Sequence, residues 1–152
     1  MYIDPRGSRF GAGLTSVVLA VVLVTGSGWL LLAQAAVFAA GAALGLGRAP
    51  YGVLYRRFVR PRLGAPAELE AAGPPRFAQA VGLAFAVVGT AGYLGGLSWL
   101  GAAATAMALA AAFLNAAFGF CLGCEIHLLI VRTFGRPVVE RFIPSDTLGV
   151  PA

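Results

Sequence analysis

The sequence predicts an all-α fold, an integral membrane four-helix bundle with short interfacial helices. Three observations predict it: 59% of the 152 residues are hydrophobic, only 11% are charged, and the mean hydropathy is +0.85. Soluble domains carry about 25% charged residues, so too few charges remain here to cover a surface that faces water. Disordered chains need low hydrophobicity, so this composition excludes them too. We interpret residues 1–152 as a single membrane domain.

Two tracts without any charged residue define the predicted spans, Phe10–Gly47 and Phe77–Cys124. Each tract is long enough for two helices of about 20 residues, the length that crosses a bilayer. Glycine and serine divide each tract, and Trp29 and Trp99 follow the two divisions, where aromatic side chains suit the bilayer interface. The predicted spans cover residues 10–25, 29–46, 77–94 and 99–118.

Glycines in the third predicted span indicate how the helices pack. Gly82, Gly89, Gly92 and Gly96 recur near heptad spacing on one face. Lipid tails are as apolar as leucine, so membrane helices associate through small residues that let their backbones approach. We therefore expect this face to pack against another helix of the same chain.

The placement of arginine predicts the orientation. All eleven basic residues are arginine, and they lie before the first span, in the loop 47–76 and after Cys124, whereas the two short turns have none. Because arginine is enriched in cytoplasmic loops, we expect both termini and this basic loop in the cytoplasm. The use of arginine without lysine is typical of a GC-rich bacterial genome, so we expect the protein in a bacterial inner membrane. The net charge of +5 favours contact with anionic lipid headgroups, and we expect no nucleic acid partner.

Part of the basic loop has the pattern of a helix. Apolar residues recur there at helical spacing: Tyr51, Leu54, Tyr55, Phe58 and Val59. This stripe predicts a short helix in the headgroup layer, ended by Pro61, that acts as a membrane anchor or as a docking surface for a cytoplasmic protein. Membrane-surface basic residues fall off the stripe: Arg56, Arg57 and Arg60.

The two cysteines of the chain form the motif Cys121-Leu122-Gly123-Cys124. On a helix, positions i and i+3 share a face, where two sulfur atoms come close enough for a disulfide. The apolar run Trp99–Val131 exceeds one span of about 30 Å, so we expect a break, flanked by Gly119 and Gly123. The motif then lies at the cytoplasmic end of the fourth span, and an interfacial helix over about residues 125–134 follows.

We identify Cys121 and Cys124 as candidate catalytic residues. A cysteine at a helix N-terminus has its thiolate stabilised by the helix dipole and by free N–H groups, whereas a neighbouring carboxylate opposes the thiolate unless it accepts the proton. Three of the supporting candidates below have an alternative role. For Gln79 and Asn115 it is hydrogen bonding between helices, and for His127 it is an interfacial position. The candidate supporting polar residues are Asp4, Arg6, Gln79, Asn115, Glu125 and His127.

Three blocks of the chain resemble the bacterial membrane family named domain of unknown function 4395. They are Asp4-Pro5-Arg6 with Phe10, Pro75-Arg76-Phe77-Ala78-Gln79, and Asn115–Glu125. The resemblance covers about residues 3–135, its last block is the most specific, and family members often have tyrosine where this chain has His127. It implies a four-helix membrane protein of unassigned activity, in a setting of thioredoxin-like or rhodanese-like sulfur proteins. It implies no catalytic residue.

The cysteine motif favours thiol–disulfide exchange or sulfur relay with a soluble partner, which would be a cytoplasmic thioredoxin-like or rhodanese-like protein. The alternatives are a non-enzymatic membrane scaffold and a transporter of a small sulfur species, which would need a homo-oligomer to line its path. Whether the protein is an enzyme stays open. We predict no cofactor. A metal site with Cys121, Cys124, Glu125 and His127 as ligands is a further alternative, but one CxxC motif is half of a usual zinc site, so a dimer would have to complete it. The sequence does not indicate whether a quinone binds.

The predicted orientation can be measured with topology reporters. A reporter fused after Ala152 should report the cytoplasm, because arginines follow the fourth span on that side. The same reporter inserted at Ser27, in the first short turn, should report the periplasm. A periplasmic signal from the fusion at Ala152 would contradict the orientation.

Overall fold

The computed structural model describes residues 2–64, 66, 69–134 and 141–142. Most of these residues are helical, which confirms the all-α class. The α-helices are α1 (Pro5–Thr25), α2 (Gly28–Leu44), α3 (Pro50–Leu54), α4 (Gly73–Leu94), α5 (Ser98–Phe118) and α6 (Leu122–Thr133).

Three of the helices, α1, α4 and α5, are long and apolar enough to cross a membrane, and α2 is a shorter apolar helix of 17 residues. Their outer faces are also apolar: Val24 is 88% exposed, and Trp29 and Trp99 are each 70% exposed. Soluble monomers rarely expose large continuous apolar patches. Length, composition and exterior together indicate a membrane protein.

Glycines on α4 let the neighbouring helices approach closely. α4 packs against both α2 and α5, and α1 packs against α5. A Cβ atom at Gly89 would lie 2.7 Å from Cδ2 of Leu31 on α2, and one at Gly92 would lie 2.6 Å from the backbone nitrogen of Gly101 on α5. Gly96 differs from the predicted pattern, because it lies beyond α4 in the turn, with a φ of 82° and open space around it.

A small apolar core lies between these helices. Its side chains come from α1, α2, α4 and α5, and all of them are buried. They are Leu19, Val22, Leu31, Ala35, Phe38, Ala86 and Ala108. Their burial fixes how the four helices face one another, and with that the arrangement of the helix ends that hold the cysteine motif.

The helix in the basic loop lies along α1. α3 continues as a π-helical turn over Tyr55–Val59 and a 3₁₀ turn over Arg60–Arg62 that includes Pro61. The ring of Tyr55 packs against Gly7, and the Tyr51 hydroxyl donates a hydrogen bond of 2.7 Å to Oε1 of Gln34 on α2. The apolar stripe is therefore divided, since these two tyrosines contact other helices.

The side chains on the other side of this apolar stripe are exposed. Leu54 and Phe58 are 40% and 51% exposed, in contrast to the buried Tyr55 on the same helix. Exposed apolar side chains of this kind suit a headgroup layer. The position of the helix in that layer stays a prediction.

A small antiparallel sheet joins three distant parts of the chain. Its strands are β1 (Tyr2–Ile3), β2 (Leu69–Ala71) and β3 (Arg141–Phe142), in the order β1-β2-β3. Tyr2 pairs with Ala71, and Leu69 pairs with Phe142. The sequence analysis missed this sheet, because strands of two or three residues are too short to show any alternation.

Arg76 closes the C-terminal end of α2 from the neighbouring helix α4. Its Nε and Nη2 atoms donate to the carbonyl of Ala42 at 3.1 and 3.0 Å, and Nη2 also donates to the carbonyl of Ala43 at 2.9 Å. The last carbonyls of a helix lack partners within the helix and carry its negative dipole end. The Arg76 guanidinium donates hydrogen bonds to these carbonyls and places a positive charge at the dipole end, so this contact stabilises the packing of α4 against the end of α2.

This contact predicts a stability effect. Arg76→Gln should lower the free energy of unfolding in detergent by about 1 kcal/mol, because charge-assisted hydrogen bonds are lost. Thermal unfolding measures the change. Arg57→Gln is the matched control, since Arg57 is exposed like Arg76 but makes no hydrogen bond among the described residues. Equal melting temperatures for the two variants would contradict the capping role.

Candidate functional site

The two cysteines lie at the start of α6. Cys121 is the N-cap, in extended conformation, and its Sγ accepts a hydrogen bond from the backbone N–H of Cys124 at 3.3 Å. The two residues are joined as a disulfide, with their Cα atoms 5.1 Å apart. This helix end offers free N–H groups and the positive end of the helix dipole, which are the features that favour a thiolate.

Two glycines create this local geometry. Gly119 ends α5 in the left-handed conformation, with a φ of 69°, so that the chain turns before α6 begins. A Cβ atom at Gly123 would lie 2.7 Å from Cβ of Ala78, so the first turn of α6 lies directly against α4. α6 begins at Leu122, three residues before the predicted start, because Cys121 itself caps the helix.

The cysteine pair lines an open cavity of about 170 Å³. We call it the cysteine cavity. Its walls come from α1, α4, α5 and α6, together with β2. Besides both cysteines, its polar lining consists of Ser8, Arg9, Glu70, Gln79, Asn115 and Glu125. The structure therefore brings five of the predicted site residues to one place: Gln79, Asn115, Cys121, Cys124 and Glu125.

The two amide side chains of the cavity are available for binding. Gln79 lies against α2, where a Cβ at Gly41 would be 2.7 Å from its Oε1, and Asn115 lies in the last turn of α5. Both are half-buried, and among the described residues neither amide group makes a hydrogen bond. An amide both donates and accepts, so these groups can bind a polar molecule in the cysteine cavity.

Arg9 is a member of the site that the sequence analysis missed. Its Nη2 atom donates to the carbonyls of Ala116 and Ala117, at the end of α5, at 3.4 and 3.5 Å. Its side chain also passes Gly119, which places a positive charge at the wall of the cysteine cavity. The sequence offered no signal for this contact, because the partners are more than a hundred residues apart and Arg9 resembles any arginine that precedes a span.

Three predicted site residues lie outside the cysteine cavity. The ring of His127 packs on Phe77, with 5.3 Å between the ring centroids and 38° between the planes. Asp4 and Arg6 instead belong to a cluster at the start of α1. These three residues are not among those that line the cysteine cavity.

The Asp4 cluster joins α1 to the basic loop. Asp4 caps α1 by accepting the backbone N–H of Arg6 at 2.9 Å, and its other carboxylate oxygen accepts the Tyr55 hydroxyl at 3.0 Å. Arg6 in turn donates to the carbonyls of Leu63 and Gly64. Burial works to raise the pKa of Asp4, but the hydrogen bonds from Arg6 and Tyr55 outweigh it and lower that pKa, so the carboxyl group stays charged.

Metal ligands are sparse in the part of the chain that the structure describes. No group of three or more His, Cys, Asp and Glu side chains lies close enough there to hold a metal ion. Within the described residues, the cysteine pair therefore forms no such group with Glu125 or with His127.

Comparison with known proteins identifies the family of the chain. The model of the family described as Domain of unknown function (DUF4395) matches residues 3–132, which is most of the chain. No curated protein and no solved structure matches the chain.

The geometry predicts unequal reactivity of the two thiols. After reduction, Cys124→Ser, which keeps only Cys121, should be alkylated up to about tenfold faster near neutral pH than Cys121→Ser, because the helix N-terminus stabilises the Cys121 thiolate. The pH dependence of iodoacetamide labelling measures the difference in detergent or nanodiscs. Equal rates, or a faster Cys124, would contradict this assignment.

Proposed function

Because this chain belongs to the family described as Domain of unknown function (DUF4395), whose description names no activity, we propose its function from the chemistry of its own site: thiol–disulfide exchange at a membrane. The observation that carries the proposal is a CxxC pair at disulfide distance, with Cys121 as the N-cap of α6, at the wall of the cysteine cavity. A reversible dithiol needs an accessible thiolate with a second thiol in reach.

The membrane setting that we propose is a four-helix bundle in a bacterial inner membrane, with both termini in the cytoplasm. Support comes from the long apolar helices α1, α4 and α5 and from the additional apolar helix α2. Arg9 and Arg76 cap helix ends close to the cysteine cavity, so this end of the molecule is rich in arginine. The positive-inside rule assigns such an end to the cytoplasm, and the cysteine pair with it.

The exchange proceeds through a mixed disulfide. In the reduced protein, the Cys121 thiolate attacks a disulfide of the partner, forming a bond to one partner sulfur and releasing the other as a thiolate. The Cys124 thiolate then attacks Cys121, which forms the Cys121–Cys124 disulfide and releases the second partner thiolate. The protein is oxidised by two electrons and the partner is reduced by two, and the same steps in reverse oxidise a partner dithiol.

The lining of the cavity supports these steps. The N–H of Cys124 donates a hydrogen bond that stabilises the Cys121 thiolate. The Glu125 carboxylate, in the first turn of α6, accepts the proton that Cys124 loses before it attacks as a thiolate. Gln79 and Asn115 are free to hold the backbone of an incoming segment, and Arg9 attracts a thiolate as it leaves. A thioredoxin-like or rhodanese-like protein in the cytoplasm would present such a segment.

Relay of a sulfane sulfur is the second candidate, favoured by the small size of the cysteine cavity, about 170 Å³. Here the Cys121 thiolate would attack the terminal sulfur of a persulfide. A new sulfur–sulfur bond forms on Cys121, the old one breaks, and the partner leaves as a thiolate. This step needs Cys121 but no disulfide with Cys124, so the two candidates differ in their need for Cys124.

Trapping of the intermediate tests the proposal. Cys124→Ser should accumulate a mixed disulfide through Cys121, because the resolving thiol is absent, and Cys121→Ser is the matched control that should trap at least several-fold less. Non-reducing electrophoresis and mass spectrometry of the linked peptides give the measurement. Exchange is ruled out if neither variant forms a mixed disulfide with any protein and both variants fully complement loss of the wild-type protein in cells.

A further inference from the structure

A second cavity, of about 380 Å³, has no part in the proposed thiol chemistry. We call it the loop cavity, because it lies between the start of α1, the loop after α2 and the helical segment Pro50–Arg62. It adjoins the cysteine cavity, since Ser8 and Leu46 line both. Its occupant would therefore lie next to the cysteine pair.

The lining of the loop cavity is amphipathic. Apolar side chains form much of it, from Ile3, Leu46, Pro66 and Leu69. Its charged lining consists of Arg56, Arg60 and Asp4, and Tyr55 lines it as well. A cavity with an apolar wall and a cationic edge suits an amphiphile whose head is anionic.

The two arginines act together on one side of the cavity. Arg56 and Arg60 are four residues apart on a helical segment, so they lie on the same face, and both side chains are exposed. Arg56 and Arg60 both line the loop cavity, so two positive charges lie at its wall.

The carboxylate in the loop cavity does not cancel this charge. Asp4 is bound by Arg6, with Nε to Oδ1 at 3.2 Å, and by the Tyr55 hydroxyl at 3.0 Å. Arg56 and Arg60 remain as two further positive charges beside one compensated negative charge. Guanidinium groups bind phosphate through paired hydrogen bonds, so phosphate is the anion that this edge recognises best.

We propose that the loop cavity binds the phosphate headgroup of an anionic phospholipid, with Arg56 and Arg60 on the phosphate and the apolar wall against the glycerol backbone. At about 380 Å³, the cavity holds a headgroup and not a whole lipid, so the acyl chains extend into the bilayer. This binding is independent of the cysteine chemistry.

Arg57 provides a control that distinguishes a phosphate site in the loop cavity from general attraction of the basic loop to a charged membrane. It lies between the other two arginines in sequence and is exposed like them, but it does not line the loop cavity. Attraction of a basic loop to anionic lipid would depend on all three arginines alike. A phosphate site in the cavity depends on Arg56 and Arg60 alone.

The test measures binding of short-chain phosphatidylglycerol to the full chain in detergent, by native mass spectrometry or by thermal shift. The double variant with Arg56→Gln and Arg60→Gln should raise the apparent Kd at least about tenfold, while Arg57→Gln should change it less than twofold. Cys121→Ser should bind the lipid as the wild type does, whether or not thiol exchange occurs. Unchanged elution volume and melting temperature of the variants show that they fold.

Two probes identify the source of the phosphate. Phosphatidylcholine, whose headgroup has no net charge, should bind at least tenfold more weakly, and inorganic phosphate at the same concentration should not displace phosphatidylglycerol. The proposed site would be overturned if Arg57→Gln weakened phosphatidylglycerol binding as much as the double variant does, or if phosphatidylcholine bound as tightly as phosphatidylglycerol. Displacement by inorganic phosphate would overturn its assignment to lipid and indicate a soluble phosphate compound.

Discussion

The candidate site depends on one close contact, in which the first turn of α6 lies directly against α4. A Cβ atom at Gly123 would lie 2.7 Å from Cβ of Ala78, so a larger residue there would force the helices apart. This contact holds the N-terminus of α6, with Cys121 and Cys124, at the wall of a cavity that α1, α4 and α5 also line. The environment of the pair therefore comes from helix packing as much as from the motif itself.

Arginine has two roles at this end of the molecule. Arg76 and Arg9 each extend from one helix to the last carbonyls of another, α2 and α5 respectively. The C-terminus of a helix is the negative end of its dipole, so these contacts lock neighbouring helices together. Arginine near span ends is also what the positive-inside rule counts. The same residues thus cap helix ends and, for Arg9, place a charge beside the cysteine pair, and the orientation that we propose rests on them as well.

Much of the secondary structure follows from the sequence by simple physics. Uncharged tracts require helices, because every backbone polar group in lipid must be satisfied within its own segment. Glycines at turns divide these tracts, as the left-handed Gly26 and Gly119 do here. The CxxC spacing brings the two sulfur atoms together wherever a helix begins beside them.

The rest depends on contacts between distant residues, which no local pattern encodes. Arg9 at the end of α5, Tyr55 on Asp4 and the three short strands all pair segments far apart in sequence. His127 is close to the cysteines in sequence, but its ring packs on Phe77 of α4, so its role at the cysteine pair stays a prediction. Proximity along a helix does not fix which face a side chain takes.

The proposed function requires that the cysteine pair cycles between dithiol and disulfide. An equilibrium redox titration of the full chain in nanodiscs, read by the mass added on alkylation of free thiols, tests it most directly. We expect a single two-electron transition of Cys121 and Cys124, at a potential roughly between −270 and −120 mV, the range of thiol oxidoreductases. A cysteine pair that stays oxidised, or stays reduced, across that whole range would contradict the proposed cycle between dithiol and disulfide.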